Sequence, residues 1–406
     1  MTRVLHTADT HLGYRQYHTP ERRRDFLAAF RAVIDDAIED DVDAVVHAGD
    51  LFHDRRPGLV DILGTLEVLE TLAAADIPFL AVVGNHETKR DAQWLDLFER
   101  LGVAIRLGNE PVVVGNTAFY GLDFVPRGQR DRLEYGFEPA GTDHAALVTH
   151  GLFEPLVPDY GNVEWDAEAV LTEATVEFDA MLLGDEHKPT TQQIGETWVT
   201  YPGSTERTSA SEREERGYNL VTFDGDVRIA RRGIETRPFV FLDLELDGSE
   251  GIDRVRDRLR EYDLEGAVVH VTLEGDGESV SPARIETFAT EEGALVARVT
   301  DRRDLAVEAS TPEVSFADPD EAVRERLREL GLSEAARDLD GTIRSGSVAD
   351  SNVADEIERR VEELIEDPEF AAAVGEPDEE TGLDEVDDTT PAAGSDAGQS
   401  SMEEYL

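Results

Sequence analysis

The sequence contains no cysteine and almost no lysine. Without cysteine, the chain can form neither a disulfide bond nor a thiolate metal site. Lys89 and Lys188 are its only lysines, so nearly every basic side chain is an arginine. The sequence also lacks an apolar run long enough to cross a membrane, and Met1-Thr2-Arg3-Val4 leads directly into a predicted strand without a signal peptide. These absences predict a cytoplasmic protein with no membrane partner.

Positive charge is scarce as well. The 406 residues include 38 Lys and Arg against 90 Asp and Glu, which gives a formal net charge of −52. Such acidity, spread along the whole chain, is typical of proteins from a salt-rich cytoplasm. A high net charge is also a property of intrinsically disordered chains. Regular apolar strands continue to about residue 300, however, and favour a folded protein over that region.

Strand and helix patterns alternate over residues 1–235. Apolar residues at four-residue spacing predict a helix over 20–40, and two further helices are predicted over 59–74 and 94–101. Residues 112–229 are richer in strands and turns. We therefore expect an α/β fold, a layered sandwich in which helices flank two central sheets.

A second, smaller domain is predicted over residues 236–310, after a boundary at Arg237-Pro238. Strand and helix patterns alternate there in five segments: 239–246, 252–262, 267–273, 282–291 and 294–299. We expect these segments to form a compact α+β capping domain with the order β-α-β-α-β.

The rest of the sequence changes character twice. Residues 311–370 are predicted to form a linker and helices, one of which has an apolar stripe (Ile357, Val361, Leu364 and Ile365). Such a helix either packs on the chain's own core or docks into a partner protein, and the polar, Gly- and Ser-containing stretch before it favours docking. Residues 371–406 are acidic, without a basic side chain, and are predicted to be a disordered tail.

Five predicted strands lead into residues that can bind metal ions. The strand over 44–46 leads through Gly49 to Asp50. The other four lead to side chains of the same kind: Asp9 and His11, Asn85 and His86, His150, and Asp185 and His187. Because ligand sites form beyond the carboxyl ends of strands in such sheets, we expect these side chains to meet at one edge. Imidazole, carboxylate and amide groups together favour two ions of the Mn, Fe or Zn type, which can clamp a phosphoryl group.

These motifs resemble those of a known family. Similar motifs occur in the calcineurin-like metallophosphoesterases: Asp9-x-His11, Gly49-Asp50, Gly84-Asn85-His86-Glu87, His150 and His187. Two longer runs narrow the resemblance to the SbcD nucleases and their archaeal and eukaryotic counterparts, the meiotic recombination eleven nucleases: Asp9-Thr10-His11-Leu12-Gly13-Tyr14-Arg15-Gln16 and Gly49-Asp50-Leu51-Phe52-His53-Asp54-Arg55-Arg56-Pro57. The resemblance is strong over the first domain, rests on topology in the second, and rests on position alone in the C-terminal helices.

The resemblance implies a ligand set for two Mn²⁺ ions in each subunit. It assigns Asp9, His11 and His187 to the first ion, Asn85 and His150 to the second, and Asp50 to both. The family usually has Gly-His-x-His where this chain has Gly184-Asp185-Glu186-His187. Asp185 can still offer an oxygen to the second ion, but it is a harder, negatively charged ligand and therefore alters the expected metal preference.

The resemblance also implies residues that act on the substrate. His86 would assist phosphoryl transfer and departure of the leaving group, and His53 would position the scissile phosphate. Candidate DNA contacts lie near the motifs: Tyr14, Arg15, Arg55, Lys89, Arg90 and Lys188. Most scattered basic residues are solvated surface charges, but both lysines flank metal motifs, which favours phosphate contact. At molar salt the screening length is about 3 Å, so the overall negative charge hardly repels DNA.

The remaining histidines match no motif. His6 and His47 lie within or at the ends of predicted strands. His18, His144 and His270 lie outside the motifs. We expect all five to be structural.

The resemblance finally implies an activity and partners. The protein would be a Mn²⁺-dependent nuclease in double-strand break repair, acting as a 3′-5′ double-strand exonuclease and a single-strand endonuclease, with a DNA-binding capping domain. Its partner would be a coiled-coil ABC-type, SMC-like ATPase, in a nucleoid-associated two-plus-two complex built on a homodimer. Helices 59–74 and 94–101 are candidate dimer surfaces. The alternatives are a phosphoesterase for phosphoproteins or small nucleotides and a non-catalytic scaffold.

Overall fold

The computed structural model describes residues 1–89, 92–130, 132–157, 165–278 and 280–303. The predicted partner-binding helices and the acidic tail lie outside the described residues. Within them, the strands are β1 (Thr2–Thr7), β2 (Ala44–His47), β3 (Phe79–Ala81), β4 (Ile105–Arg106), β5 (Val112–Val114), β6 (Thr117–Leu122), β7 (His144–His150), β8 (Phe153–Glu154), β9 (Trp165–Asp166), β10 (Ala180–Gly184), β11 (Thr190–Ile194), β12 (Thr197–Tyr201), β13 (Gly217–Asp224), β14 (Asp226–Gly233), β15 (Phe239–Leu246), β16 (Val268–Gly275) and β17 (Val296–Asp301). The α-helices are α1 (Pro20–Glu39), α2 (Leu59–Ala74), α3 (Trp94–Arg100), α4 (Arg127–Arg130), α5 (Ala167–Glu173), α6 (Ile252–Leu259) and α7 (Pro282–Glu291).

Two six-stranded sheets form the centre of the molecule. The first has the strand order β14-β13-β1-β2-β3-β4, with parallel pairing from β1 to β4. The second has the order β11-β12-β10-β7-β6-β5, with parallel pairing from β12 through β10 and β7 to β6. Parallel neighbours end at the same edge of a sheet, so each sheet brings several strand ends together.

Alternation along the strands produces the layers. Val4 and Val46 belong to the apolar core that also includes residues of the second sheet, such as Leu182. Their neighbours Leu5 and Val45 point the other way and pack with residues of α1 and α2. A third cluster packs α5 on the outer face of the second sheet. The predicted sandwich of helices around two sheets is confirmed.

Helix α1 is delimited by local chemistry. The Thr19 side chain accepts a hydrogen bond from Arg22 N at 3.4 Å, and Pro20 occupies the first helical turn, where its missing N–H has no cost. The helix buries Phe30 and Ile34, at four-residue spacing, in the apolar cluster that also contains Leu5 and Val45 of the first sheet. None of the described helices has the length and apolarity that crossing a membrane requires.

A smaller unit follows, in which β15, β16 and β17 pair in parallel with α6 and α7 in the crossovers. The predicted alternation of elements is confirmed, and the parallel pairing refines the expected α+β unit to a parallel β-α-β-α-β one. Its core is a separate aliphatic cluster that includes Leu242, Val271 and Ile285. Three side-chain contacts connect this unit with earlier parts of the chain. They are the ion pairs of Arg237 with Asp25 and of Asp243 with Arg213, and the hydrogen bond of His270 with Tyr17.

A candidate metal centre at the edge of both sheets

The loops after β1 and β2 pair with each other beyond the edge of the first sheet. Asp9 N donates to Gly49 O at 3.1 Å, and His11 N donates to Asp50 O at 3.1 Å. The pairing continues to Leu12, whose N–H bonds the carbonyl of Leu51. The three carboxylate and imidazole side chains of these loops are therefore held next to one another by the backbone itself.

Several residues predicted as ligands adopt backbone conformations that L-amino acids rarely occupy. The φ angles are +52° at Asp9, +43° at His11, +56° at Asp50 and +96° at Asp185. Backbone strain of this kind costs about 1–3 kcal/mol for each residue and persists where the surrounding structure imposes it. In this protein, the left-handed conformation directs the side chains of these four residues from the strand ends toward one another.

Two glycines allow these loops to approach each other. Gly49 has a φ of +91°, and a Cβ there would lie 2.5 Å from His150 Nδ1. A Cβ on Gly84 would lie 2.0 Å from Asp50 Oδ1. Both distances are far below van der Waals contact, so any larger residue at either position would displace a predicted ligand.

The predicted ligands form two overlapping groups. One consists of Asp9, His11 and His187, and the other of Asp9, Asp50 and His150; within each group the potential ligand atoms lie within 4.8 Å of one another. The Nε2 atoms of His11 and His187 are 3.1 Å apart. The first group matches the residues expected to hold one ion, although sequence reasoning did not expect Asp9 to lie close to both groups.

The second group converges on the Nε2 atom of His150. Asn85 Oδ1 lies 3.2 Å from this atom, Asp50 Oδ2 lies 3.5 Å away, and Asp185 Oδ1 lies 3.7 Å away. The same Asp50 oxygen is 3.9 Å from His11 Nε2. Asp50 therefore lies between the two groups, in a position compatible with a carboxylate shared by two ions.

Electrostatics favour a cation at this centre. In the described part of the chain, Asp50 forms ion pairs with His11, His86 and His150, and neither Asp50 nor Asp9 is paired with an arginine or a lysine. Burial raises the pKa of Asp9 to about 7. Burial acts in the same direction on Asp50, but the charges of His150 and His86 hold its pKa below the ordinary range. Buried carboxylates and imidazoles without a permanent cation form a donor set that fits divalent transition metals.

Two of the predicted ligand histidines are oriented by hydrogen bonds from Nδ1. His150 Nδ1 lies 2.8 Å from the carbonyl oxygen of Ala48, and His187 Nδ1 lies 2.9 Å from Glu212 Oε1. In each ring the bond places the proton on Nδ1 and leaves Nε2 to face the centre. Burial opposes protonation of His187, but the bond to Glu212 and the charge of Asp9 raise its pKa to about 9.

His53 and His86 line the more exposed side of the centre. His86 Nδ1 is 2.9 Å from His53 O, and the His86 N–H donates to Asp50 Oδ1 at 3.0 Å. The His86 side chain is 20% exposed, whereas that of Asp50 is 1% exposed. The two rings stack at 5.2 Å, and the Tyr14 ring stacks on His53 at 3.8 Å. His11, His53 and His86 also lie close enough to form a third candidate group, but the exposure of His53 and His86 suits residues that face a substrate.

Comparison of the sequence with known proteins finds one matching family model and several similar proteins that share one name. The family model of the calcineurin-like phosphoesterases matches residues 2–189, which include every predicted ligand. The DNA double-strand break repair protein Mre11 of Haloferax volcanii is 62% identical over 384 residues, which cover 94% of this chain and 86% of that protein. This chain belongs to the Mre11 family. The protein of the same name from Halobacterium salinarum is 57% identical, with 92% of this chain and 97% of that protein covered.

The match extends beyond the salt-loving archaea. The Mre11 protein of Methanosarcina acetivorans is 45% identical over 389 residues, which cover 91% of this chain and 62% of that protein. Membership of the Mre11 family confirms the resemblance based on the sequence motifs. It also makes the chain a metal-dependent hydrolase of phosphoesters, and the haloarchaeal relatives agree with its acidic, halophile-type composition.

The predicted DNA contacts of this Mre11-family chain lie near the centre but have protein partners as well. Lys89 Nζ lies 3.6 Å from the centroid of the Trp94 ring, and burial lowers its pKa. Lys188 Nζ lies 3.9 Å from Glu214 Oε1. Tyr14 stacks on His53, Arg15 is exposed, and Arg55 accepts a bond from Trp94 Nε1 through its carbonyl oxygen. Arg90 lies outside the described residues, so all six contacts stay predictions.

Sequence reasoning missed the role of Glu87. Its carboxylate is 6% exposed and accepts backbone hydrogen bonds from Leu51 at 3.3 Å, Phe52 at 3.1 Å and Gly84 at 3.3 Å. Burial raises its pKa to about 7. Glu87 thus ties the loop after β2 to the loop after β3. The sequence shows Glu87 next to His86 in the motif, but it does not show that the Glu87 carboxylate points toward the backbone of these two loops.

The five histidines outside the motifs lie in different surroundings, and their structural role stays a prediction. His6 and His47 are fully buried in the first sheet, and His144 is 8% exposed. His18 lies on the surface. His270 bonds Tyr17 Oη at 2.8 Å, which is a contact between the smaller unit and the segment before α1.

Proposed function

We propose that this protein is a Mn²⁺-dependent DNA nuclease that processes the ends of double-strand breaks. The observation that carries the proposal is the convergence of carboxylates, imidazoles and an amide at the edge of both sheets, in a chain of the Mre11 family. The proposed activities are 3′-5′ exonucleolytic cleavage of double-stranded DNA and endonucleolytic cleavage of single-stranded DNA. With DNA as its substrate, the protein would work in the cytoplasm, in association with the nucleoid.

The proposed centre holds two Mn²⁺ ions. Asp9, His11 and His187 would bind one ion, and Asn85, His150 and Asp185 the other, with Asp50 between them. Bound there, the two ions would polarise the phosphodiester and lower the pKa of a water nucleophile. The mixture of nitrogen and oxygen donors supports Mn²⁺, which accepts carboxylate, amide and imidazole ligands.

The protein's own contribution to the reaction comes from His86 and His53. His86 Nδ1 donates its proton to His53 O, so Nε2 is the ring atom left for the substrate. When the ring is an imidazolium, Nε2 carries the second proton and can give it to the leaving oxygen. The stacked rings of Tyr14 and His53 form a wall beside it, which supports a role in positioning the scissile phosphate. No covalent intermediate on the protein is required.

An ATPase partner follows from the same proposal. The predicted helices within residues 311–370 would dock into a coiled-coil ABC-type, SMC-like ATPase. Deletion of residues 318–366 should leave Mn²⁺-dependent cleavage by the nuclease alone largely intact and abolish co-purification with the ATPase. Retained binding of the ATPase by the truncated protein, or loss of its fold, would refute the docking role.

A homodimer is the second proposed assembly. Helices α2 and α3, with Leu101 directly after α3, expose large apolar side chains: Leu59 by 69%, Val60 by 69%, Leu63 by 55%, Leu97 by 38% and Leu101 by 52%. Apolar side chains exposed in this way support self-association within a two-plus-two complex with the ATPase. Sedimentation of Leu63→Glu against wild type tests it, with a shift to monomers expected.

The central experiment measures cleavage of linear double-stranded DNA by the full-length protein with Mn²⁺ in molar KCl. We expect cleavage, and we expect His86→Ala to abolish it while two Mn²⁺ ions still bind. A phosphopeptide and p-nitrophenyl phosphate serve as competing substrates. Hydrolysis of these substrates without DNA cleavage would replace the proposal by a different phosphoesterase, and absence of all hydrolysis would leave a scaffold.

A further inference from the structure

Glu212 lies directly behind the predicted ligand His187, on the loop between β12 and β13. Its Oε1 atom is 2.9 Å from His187 Nδ1, and the Thr208 hydroxyl donates to the same oxygen. Thr208 Oγ1 is also 2.9 Å from His187 Nδ1, but its proton is already given to Glu212. The proton on His187 Nδ1 therefore points to the carboxylate, and His187 Nε2 is the ring atom that faces the centre, where it would offer its lone pair to a bound ion.

The carboxylate is itself held firmly. Glu212 Oε2 accepts three hydrogen bonds, each 3.1 Å long, from Ser204 Oγ, the Thr208 N–H and Arg216 Nη1. Glu212 is 8% exposed, and Arg216 is 1% exposed. Arg216 Nη1 also donates to the carbonyl oxygen of His187 at 3.1 Å. With these bonds in place, neither the carboxylate nor the backbone of His187 can turn away without leaving a buried charge unpaired.

The three histidines predicted to bind metal differ in what lies behind them. His11 Nδ1 is buried without a hydrogen-bond partner, and His150 Nδ1 bonds a backbone carbonyl. Within the described residues, His187 alone of the three bonds a carboxylate through Nδ1. A carboxylate behind an imidazole fixes the ring, sets its tautomer and makes it a stronger ligand. Among these three histidines, His187 is the one whose Nδ1 partner is a side chain, so a substitution can remove that partner.

We propose that Glu212 is a positioning residue that holds His187 Nε2 in place for the first metal ion and strengthens its bond to that ion. This inference rests on the proposed two-metal centre. Glu212 touches neither the substrate nor the ion and acts only through His187. Its loss should therefore weaken one metal site selectively and leave the site around His150 unchanged.

Glu212→Gln is the most direct test. The three donors around Oε2 will attract the amide oxygen, so the amide NH₂ must face His187 Nδ1. Nδ1 must then accept a hydrogen bond, the ring proton moves to Nε2, and the lone pair needed by the metal is lost. We expect the affinity for one of the two Mn²⁺ ions to fall by about 10–100-fold.

The measurement is a Mn²⁺ titration of the full-length protein followed by electron paramagnetic resonance, with thermal unfolding as a check of the fold. Arg213→Gln is the matched control, because Arg213 is the adjacent residue and also bonds a carboxylate, that of Asp243, at 2.6 Å. It should leave both Mn²⁺ affinities unchanged. Cleavage of DNA by Glu212→Gln should recover when the Mn²⁺ concentration is raised about 100-fold, which a merely structural defect would not allow.

Thr208→Val supplies a second test in case Glu212→Gln does not fold. It removes one donor to Glu212 Oε1 but keeps the ion pair with Arg216, and it should weaken the same Mn²⁺ site by a smaller factor. The proposal is wrong if folded Glu212→Gln binds two Mn²⁺ ions as tightly as wild type, or if it loses both ions equally without recovery at high Mn²⁺. If Glu212→Gln is unfolded, unchanged binding by Thr208→Val overturns it. A wild-type protein that does not bind two Mn²⁺ ions would instead refute the proposed function.

Discussion

Two regions of the molecule are built in opposite ways: the candidate metal centre at the edge of both sheets, and the smaller unit formed by β15 to β17 with α6 and α7. Every buried polar or charged side chain in the described residues lies at or before Asn219, whereas the described part of the smaller unit buries apolar side chains. Left-handed backbone shows the same division. Non-glycine residues adopt it at positions up to Asp185, and in the smaller unit it is confined to Gly266, Gly275 and Gly293.

The candidate metal centre therefore contains groups that lower the stability of the fold but are suited to binding metal ions. Buried carboxylates and strained ligand residues lower the stability of the metal-free protein, and they persist because the two sheets impose them. The described part of the smaller unit has a mostly aliphatic core, which contributes stability without buried carboxylates or strained ligand residues. Substitutions in the two regions should therefore change different quantities.

The largest expected effect is a loss of DNA cleavage without a loss of Mn²⁺ binding at the candidate metal centre. His86→Ala should reduce the rate of DNA cleavage by about 10²–10⁴-fold, because His86 is the proposed proton donor. Fold and Mn²⁺ binding should be retained, since Asn85 and Asp50 stay in place. Single-turnover cleavage measured beside a Mn²⁺ titration checks both expectations. Wild-type turnover in the variant would remove His86 from the mechanism.

The next effect concerns the smaller unit. Leu273 is fully buried in its core, so Leu273→Ala should lower the free energy of unfolding by about 2–5 kcal/mol. Mn²⁺ affinity should not change, because none of the predicted ligands lies in this unit. Urea unfolding and a Mn²⁺ titration at a temperature where the variant is folded test the separation. Weaker metal binding by the folded variant would show that the two regions are energetically coupled.

A third prediction uses the buried His6. Burial lowers its pKa to about 3, against about 6.5 in an unfolded chain. Below about pH 6.5 the unfolded chain binds a proton that the folded protein excludes, so stability falls as the pH falls toward 3. The contribution reaches about 1.4 kcal/mol for each pH unit. In urea unfolding of the metal-free protein, His6→Gln should give a flatter dependence on pH over this range.

The matched control for His6 lies in the smaller unit. His270 is partly exposed, and burial lowers its pKa to a lesser extent, so His270→Gln should flatten the dependence on pH less. Equal slopes in wild type and His6→Gln would show that His6 does not contribute to acid unfolding.

The smallest effect concerns backbone strain. Asp185 has a φ of +96°, so Asp185→Gly should raise the free energy of unfolding of the metal-free protein by about 1 kcal/mol. The same change should weaken the second Mn²⁺ site if Asp185 is a ligand there. Gly275→Ala in the smaller unit should have the opposite sign, because φ is +93° and the new Cβ would lie 2.4 Å from Leu246 O. Unfolding curves of both variants test the pair, and equal signs would contradict it.

Much of the fold was predictable because apolar periodicity and turn residues are local signals. Helix α2 spans Leu59–Ala74, as predicted, and α6 ends three residues before the predicted Tyr262. The grouping of the candidate ligands was predictable because each follows a recognisable apolar strand. Parallel strands then bring them to the same edge without any further information from the sequence.

The contacts around the ligands were not predictable. Glu212 is 25 residues from His187 in sequence and lies in a loop without periodicity, so nothing local marks its bond to that ring. The left-handed conformation of Asp50 depends on pairing with the loop after β1, a contact between distant parts of the chain. The bond between Tyr17 and His270 spans 253 residues and depends on how the smaller unit attaches. Such features are decided by tertiary packing.

The backbone pairing of the loops after β1 and β2 bears on how divalent ions would stabilise the protein. Because main-chain hydrogen bonds join these loops, formation of the first sheet brings His11 and Asp50 together. Ions that bind only the folded protein add stability in proportion to the logarithm of their concentration. Chelation should therefore lower the free energy of unfolding by this increment, whereas a zinc finger, whose site exists only with its metal, loses its fold outright.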